Sequence, residues 1–215
     1  MADLKDLTVE QFIEVTASDA PAPGGGGVAA LAGSLGVALA EMVANLTIGK
    51  AKYAEVEDEM KELAATAADL RTELRDAIQK DCECFTLYMS ALKLPKETDE
   101  EKAVRREAMH NGLREAAKVP LTIAETAVKI FPIAKTVVEK GNTNAVTDGL
   151  IAAMLARTAV LGALLNVKIN LGSIKDEAFA AELAAKVKGL EEQAAVWEKE
   201  ILASDELSAS FVKNE

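Results

Sequence analysis

The stretch that decides the fold is GGGGVAALAGSLGVALAEMVANLTIGK, residues 24–50. Projected at 100° per residue, it predicts a helix with two distinct apolar faces. Two glycines inside one face cost about 1 kcal/mol each against alanine, which a close helix crossing or a ligand against the backbone would offset. The helix should therefore be buried on two sides. Its large face comprises Val28, Leu31, Leu35, Leu39, Met42 and Leu46, and its small face comprises Ala29, Gly33, Gly36 and Ala40.

Outward from this segment, helical periodicity continues along the chain and alternating β-branched runs are absent. The sequence predicts an all-α fold, an up-and-down antiparallel bundle of long helices joined by short loops. Pro120 and Pro132 should kink or interrupt the fourth helix, because proline removes a backbone donor. We expect one domain over residues 1–215, with a polar tail at about 203–215. The predicted helices span 8–17, 26–50, 54–92, 99–138, 144–170 and 176–204.

Composition excludes several classes of protein. The 215 residues carry a formal net charge of −11 without a dominant basic block, which argues against nucleic acid as the main partner. Two apolar stretches, 24–48 and 149–167, contain Glu41 and Arg157 well inside them, so we expect buried helices and no membrane partner. Cys82 and Cys84 are spaced i, i+2 and point apart on a helix, which predicts free thiols. With no secretory signal recognised, a cytoplasmic location is expected.

The third predicted helix places a carboxylate inside an apolar stripe. Asp81 projects into the middle of the stripe, where desolvation would raise its pKa toward the range useful for proton transfer. Two hypotheses fit this position, a catalytic carboxylate and a structural partner for another helix. The stripe consists of Leu63, Leu70, Leu74, Ile78, Phe85 and Leu92.

Polar residues also enter the small-residue faces of two other segments. In the fifth predicted helix Asp148, Asn166 and Asn170 share the face of Ala152 and Ala159. Capping and the helix dipole explain Asp148 near the helix start, but not the two asparagines far along the helix. On the second helix, a strip of Ser34, Glu41 and Asn45 is either solvated surface or part of a site.

Other candidate signals are weaker. The Gly24–Gly27 run could present N–H groups to an anion, but no strand precedes it and no P-loop Lys follows. His110 is the only histidine, which excludes a multi-histidine metal site. A basic cluster could steer an anionic tail or be ordinary solvated surface. It consists of Lys93, Lys96, Arg105 and Arg106.

Several stretches of the sequence form one ordered pattern. The first is residues 21–33, continuing to 42–50. The others follow along nearly the whole chain: residues 81–85 with 93–96, then 119–121, then 141–148 running on to 166–170. Together they resemble the formiminotetrahydrofolate cyclodeaminase and methenyltetrahydrofolate cyclohydrolase family, and the first stretch is similar to the opening signature of that family. Cys82 and Cys84 depart from the acidic or small residues expected there, and neither should share the face of Asp81.

The resemblance implies a helical homodimer that binds a tetrahydrofolate, without a metal or a separate redox cofactor. The reaction is predicted to be hydrolysis of 5,10-methenyltetrahydrofolate to 10-formyltetrahydrofolate. The alternatives are cyclodeamination of formiminotetrahydrofolate and, in another class, a non-catalytic folate-binding or helical interaction protein. Asp81 and Asp148 are the catalytic candidates, one to offset the cationic carbon and one to move a proton. The substrate-binding candidates are Pro23, Gly24, Gly25, Gly26, Asn45, Lys50, Lys93, Lys96, Asn142, Asn144 and Asn166.

Overall fold

A computed structural model describes residues 3–204, and within that range the chain forms seven α-helices and no β-strand. The all-α prediction is therefore confirmed. Short 3-10 helices cover Leu4–Asp6, Ala51–Val56 and Thr143–Ala145. The polar tail predicted at about 203–215 lies, from residue 205 onward, outside the described residues. The α-helices are α1 Val9–Ala17, α2 Gly24–Thr47, α3 Glu57–Ala91, α4 Asp99–Ala127, α5 Ile130–Lys140, α6 Val146–Leu171 and α7 Glu177–Leu202.

The segment predicted as one helix over 99–138 is two helices, with a break at Val128–Lys129. Pro132 lies in the first turn of α5, where the missing donor costs nothing. Pro120 lies inside α4 and cannot donate to the carbonyl of Ala116, one turn earlier. Asn170 Nδ2 on α6 donates to that carbonyl at 2.9 Å. The side chain of Asn170 thus replaces the hydrogen bond that the proline removes.

Helix α2 packs on α6 through its small-residue face. A Cβ on Gly33 would lie 3.1 Å from Ala159 Cβ, and a Cβ on Gly36 would lie 3.1 Å from the carbonyl oxygen of Ala152. The glycines are needed because the two backbones approach this closely. Of the two explanations predicted for this face, a close helix crossing or a ligand against the backbone, the structure shows a helix crossing at Gly33 and Gly36. The two helices run antiparallel, since Ala29 faces Gly162 further along α6.

The prediction that α2 is buried on two sides holds only in part for its large-residue face, because Leu31 and Leu39 pack against the core while the other four side chains are exposed. Leu35 is 53% exposed and Met42 is 38% exposed, whereas the small-residue face is buried. Exposed apolar residues on α6 extend this surface, and Ile169 is 77% exposed. Because α2 and α6 are antiparallel and meet through their small faces, these residues project to the same side of the pair. We call this surface the apolar face; it consists of Val28, Leu35, Met42 and Leu46 of α2 and Ile151, Met154, Leu165 and Ile169 of α6.

Charged residues inside the apolar helices make ion pairs with neighbouring helices. Arg71 of α3 binds Glu41 through Nε at 2.7 Å and Nη2 at 3.3 Å, and Arg157 binds Glu198 at 2.9 Å. Glu41, which belongs to the predicted polar strip on α2, therefore links α2 to α3 through an ion pair. Two segments, Gly24–Thr47 and Thr143–Leu171, are long and apolar enough to cross a membrane, and half of each apolar window is buried within the protein.

Candidate functional site

Asp81 lies against the glycine run at the start of α2. A methyl group on Gly26 would overlap both oxygens of the Asp81 carboxylate, so only glycine allows this approach. Pro23, the residue before α2, makes no side-chain hydrogen bond to the first turn. The carboxylate thus occupies the place of a capping group, beside backbone N–H groups and the positive end of the helix dipole. Pro23 is buried, and Gly24 and Gly25 are exposed.

Burial raises the pKa of Asp81 to about 6, and the backbone N–H of Gly27, which lowers it, offsets only part of this effect. No Lys, Arg or His forms an ion pair with Asp81 among residues 3–204. A structural role as an ion-pair partner is therefore wrong within the described chain, whereas a structural role through the hydrogen bond from Gly27 of α2 stays open beside the catalytic one. A carboxyl group with a pKa near 6 can both accept and return a proton close to neutrality.

Asn166 lies beside the same glycine run. A Cβ on Gly25 would be 3.2 Å from Asn166 Nδ2, which donates to the carbonyl of Gly162 at 2.9 Å. Asn166 and Asp81 thus flank consecutive glycines, from α6 and α3 respectively. The structure brings together four predicted positions here: Gly25, Gly26, Asp81 and Asn166. We call this group the Asp81 cluster.

Cys84 is also close to Asp81. Burial raises the pKa of the Cys84 thiol, and the charges of Glu115, Asp81 and Glu83 raise it further. The expectation that neither cysteine shares the face of Asp81 is therefore wrong for Cys84, because residues at i and i+3 are neighbours on a helix. Both cysteines are free, as predicted. The surrounding carboxylates keep Cys84 as a thiol and make it a poor nucleophile.

A second polar cluster lies at the other end of α2, around Asn142. The backbone N–H of Asn142 donates to Thr47 Oγ1 at 2.8 Å, and Asn142 Nδ2 donates to the carbonyl of Leu46 at 3.1 Å. Asn142 Oδ1 accepts from the backbone N–H of Asn144 at 3.1 Å. Asn142 is only 5% exposed. The side chain of Asn142 therefore links the end of α2 to the start of α6 by hydrogen bonds. A contact between Asn142 and substrate stays a prediction.

Tyr53 joins this second cluster, and it was not predicted because no periodic pattern in the sequence includes it. Its hydroxyl accepts from the backbone N–H of Thr143 at 3.1 Å. Burial acts to raise the pKa of Tyr53, but hydrogen bonds from Thr143 and Lys52 outweigh it and lower the pKa to about 8. Asn45, Lys50 and Asn144 are exposed around it, and Asp148 is half-buried in the first turn of α6.

Within one chain the two clusters are far apart. Asp148 and Asn166 are 18 residues apart on the continuous helix α6, which corresponds to about 27 Å at 1.5 Å per residue. Asp81 and Asp148 therefore do not flank one substrate carbon within a single protomer. Lys93 and Lys96 are exposed between α3 and α4. Among residues 3–204 no group of three His, Cys, Asp or Glu side chains could hold a metal ion.

Comparisons with known proteins agree with this architecture. The family model described as formiminotransferase-cyclodeaminase matches residues 8–189. The chain is 43% identical over 183 residues to a methenyltetrahydrofolate cyclohydrolase of Methylorubrum extorquens, covering 85% of this chain and 88% of that protein. It is 34% identical to the formimidoyltransferase-cyclodeaminase of Rattus norvegicus, covering 89% of this chain but 35% of that protein.

A solved structure is similar over nearly the whole fold. The formiminotetrahydrofolate cyclodeaminase of Thermotoga maritima superposes with a TM-score of 0.82 at 32% identity. The match covers 92% of this chain and 95% of that chain. The long-helix arrangement that carries the Asp81 cluster is thus shared with that protein.

Proposed function

The chain belongs to the formiminotransferase-cyclodeaminase family and is an enzyme of tetrahydrofolate one-carbon metabolism, and we propose that it hydrolyses 5,10-methenyltetrahydrofolate to 10-formyltetrahydrofolate. The choice of reaction follows the relative from Methylorubrum extorquens, which matches over 88% of its own length. The rat relative is matched over only 35% of its own length, so it weighs less in this choice.

The observation that carries the proposed chemistry is the Asp81 carboxylate at the exposed start of α2. Its pKa of about 6 leaves it ionised at neutral pH. The methenyl carbon lies between two nitrogens and shares a positive charge with them, so an adjacent carboxylate stabilises it. Gly25 and Gly26 have no side chains, which leaves room for a flat pterin against the helix start.

The proposed reaction uses Asp81 for two proton transfers and releases a further proton to solvent. Water attacks the methenyl carbon, and Asp81 takes one of its protons as the new carbon–oxygen bond forms. The resulting carbinol collapses when the bond from the carbon to N5 breaks, and Asp81 returns its proton to N5. The hydroxyl proton leaves to solvent as the formyl carbonyl forms. One water is consumed and one proton is released overall.

A direct assay tests this proposal. The purified protein is mixed with 5,10-methenyltetrahydrofolate, and the loss of near-ultraviolet absorbance is compared with the spontaneous rate. We expect enzyme-proportional acceleration that falls as the pH is lowered through about 6. Absence of acceleration at any protein concentration would contradict the proposed function.

Cyclodeamination is the second candidate, favoured by the similarity to the enzyme from Thermotoga maritima. In that reaction N10 attacks the formimino carbon and departing ammonia needs a proton, which a protonated Asp81 could supply. Formiminotetrahydrofolate with an ammonia measurement separates the two reactions. Ammonia release faster than methenyl hydrolysis would make cyclodeamination the principal activity.

We also propose that the protein is a homodimer formed through the apolar face. Eight large apolar side chains exposed on one side of α2 and α6 exceed what a monomer usually leaves in water. A two-fold axis perpendicular to α2 would place the start of one α2 against the end of its partner. This arrangement would bring the Asp81 cluster of one protomer to the Asn142 and Asp148 region of the other. It would also complete a site that is open on one side in a single chain.

Leu35→Glu tests the dimer, because Leu35 is 53% exposed in the protomer and its replacement leaves the core intact. We expect a folded monomer by light scattering, with turnover lowered at least 10-fold. Val196→Glu is the matched control, since Val196 is 56% exposed on α7, away from the apolar face. A Leu35→Glu protein that stays dimeric, or a fully active monomer, would contradict the composite site.

A further inference from the structure

A cavity of about 860 Å³ lies between the end of α3, the first half of α4 and the turn after α6. It falls within the usual volume range of small-molecule sites. Of its lining residues, the sequence analysis named only Arg106, in the basic cluster that could steer an anionic tail, and His110. Tyr88, Met109, Leu113 and Ile174 form its apolar part, and Arg106 and Lys175 contribute cationic groups.

The cavity lies beyond the Asp81 cluster in the direction in which both α3 and α6 run. Tyr88 follows Asp81 by seven residues on α3, which places it on the same face two turns, or about 10 Å, further along. On α6, Asn166 of the cluster is followed by the cavity residues Gly172 and Ser173 just past the end of the helix. An elongated molecule with one end at Asp81 can therefore extend into this cavity.

The charges in the cavity favour an anionic group. Arg106 and Lys175 form no ion pair with any residue in the range 3–204, although the protein has a formal net charge of −11. The neighbouring Arg114 is different, because it is neutralised by Asp176 at 2.6 Å and stacks on Phe179. His110 also lines the cavity, and Glu107 is its one carboxylate. Two unpaired cations beside an aromatic ring match an aryl group that carries carboxylates.

We infer that this cavity binds the p-aminobenzoyl-glutamate part of the folate, with Tyr88 beside the aryl ring and Arg106 and Lys175 on the glutamate carboxylates. This inference rests on the proposed function, because it takes the pterin end to lie at Asp81. It assigns the tail to the side of α4 that faces α6, rather than to Lys93 and Lys96. Those two lysines are exposed in the loop before α4 and do not line the cavity.

The test compares two substrates that differ only in the tail, methenyltetrahydrofolate and the methenyl derivative of tetrahydropteroic acid, which lacks glutamate. Arg106→Ala and Lys175→Ala should each raise KM for the first substrate about 5-fold and the double variant about 20-fold, with kcat unchanged. KM for the truncated substrate should not change. Glu107→Gln should lower KM for the glutamylated substrate about 2-fold, because it removes the opposing charge.

Lys102→Ala is the matched control, since Lys102 is an exposed cation of α4 that pairs with Asp99 outside the cavity. Equal KM changes for both substrates, or none for either, would overturn the inference while leaving the hydrolase activity established. A tail-specific effect of Lys93→Ala or Lys96→Ala without one from Arg106→Ala would also overturn it.

A second measurement separates this inference from the proposed function. Binding of N-(4-aminobenzoyl)glutamate is followed by calorimetry, which needs no turnover. Binding by the parent protein that weakens at least 10-fold in the Arg106→Ala, Lys175→Ala double variant supports the cavity assignment even if methenyl hydrolysis fails. Binding that is equal in the parent and the double variant would refute the assignment.

Discussion

Replacement of Asp81 by asparagine should make the protein more stable and less active at the same time. The structure places this carboxylate against Gly26, with no cation beside it in residues 3–204. Its ionised form is therefore costly in the folded state. Asp81→Asn keeps the shape of the side chain and removes both the charge and the capacity to transfer a proton.

The magnitude follows from the pKa of Asp81, which burial raises from 3.8 to about 6. The folded protein holds the proton more tightly, so the stability from this group is fully present below pH 3.8 and is lost as the pH rises through 6. The total loss in the free energy of unfolding is about 3 kcal/mol, and about 1.4 kcal/mol of it occurs between pH 5 and pH 8. The difference in unfolding free energy, Asp81→Asn minus parent, should grow by this amount over that interval.

Urea unfolding at pH 5 and pH 8, beside turnover at pH 8, measures both effects. We expect turnover of Asp81→Asn to fall by about 10²- to 10⁴-fold, as for the loss of a general base. Asp69→Asn is the matched control, because Asp69 is an exposed carboxylate of the same helix. A variant that is less stable than the parent at pH 8 and turns over at the parent rate would refute the reasoning.

Three further substitutions test the packing around the site. Gly26→Ala should displace the Asp81 carboxylate and lower turnover about 100-fold, and parent-like kinetics would contradict the close approach. Gly33→Leu should cost more than about 2 kcal/mol of stability by overpacking the α2–α6 crossing, which urea unfolding measures, and an equally stable variant would show that the crossing can open. Asn170→Leu should cost about 1–3 kcal/mol by leaving the carbonyl of Ala116 unpaired, and an unchanged unfolding midpoint would mean that water replaces the amide.

Several features of the fold could be predicted because they are local. Helix existence follows from apolar periodicity, and the start of α4 follows from the pairing of Thr98 with Glu101 in a capping box. The position of Asp81 within an apolar stripe is likewise a property of one helix, and the structure shows it partly desolvated. The predicted apolar stripe is not buried along its whole length, because Phe85 near its end is 38% exposed.

Features that depend on distant residues could not be predicted. The sequence indicates that α2 has two apolar faces, but it does not say which face another helix covers. Gly26 contacts Asp81, and Asn170 donates to the carbonyl of Ala116 that Pro120 leaves without a donor. In both contacts the two residues are more than 50 positions apart in the sequence. Such pairs carry no periodic signal, because helix geometry relates only neighbours within a turn or two.

The sequence by itself determined the all-helical class, most helix limits and a carboxylate placed where water is scarce. Only the tertiary structure decided that Asp81 meets the start of α2 and that most of the large-residue face of α2 is left open. It also decided that Asp148 lies far from the Asp81 cluster, about 27 Å along α6 from Asn166. The physical reason is that periodicity fixes the direction in which a side chain points from its own helix, whereas its partner is fixed by how the helices pack.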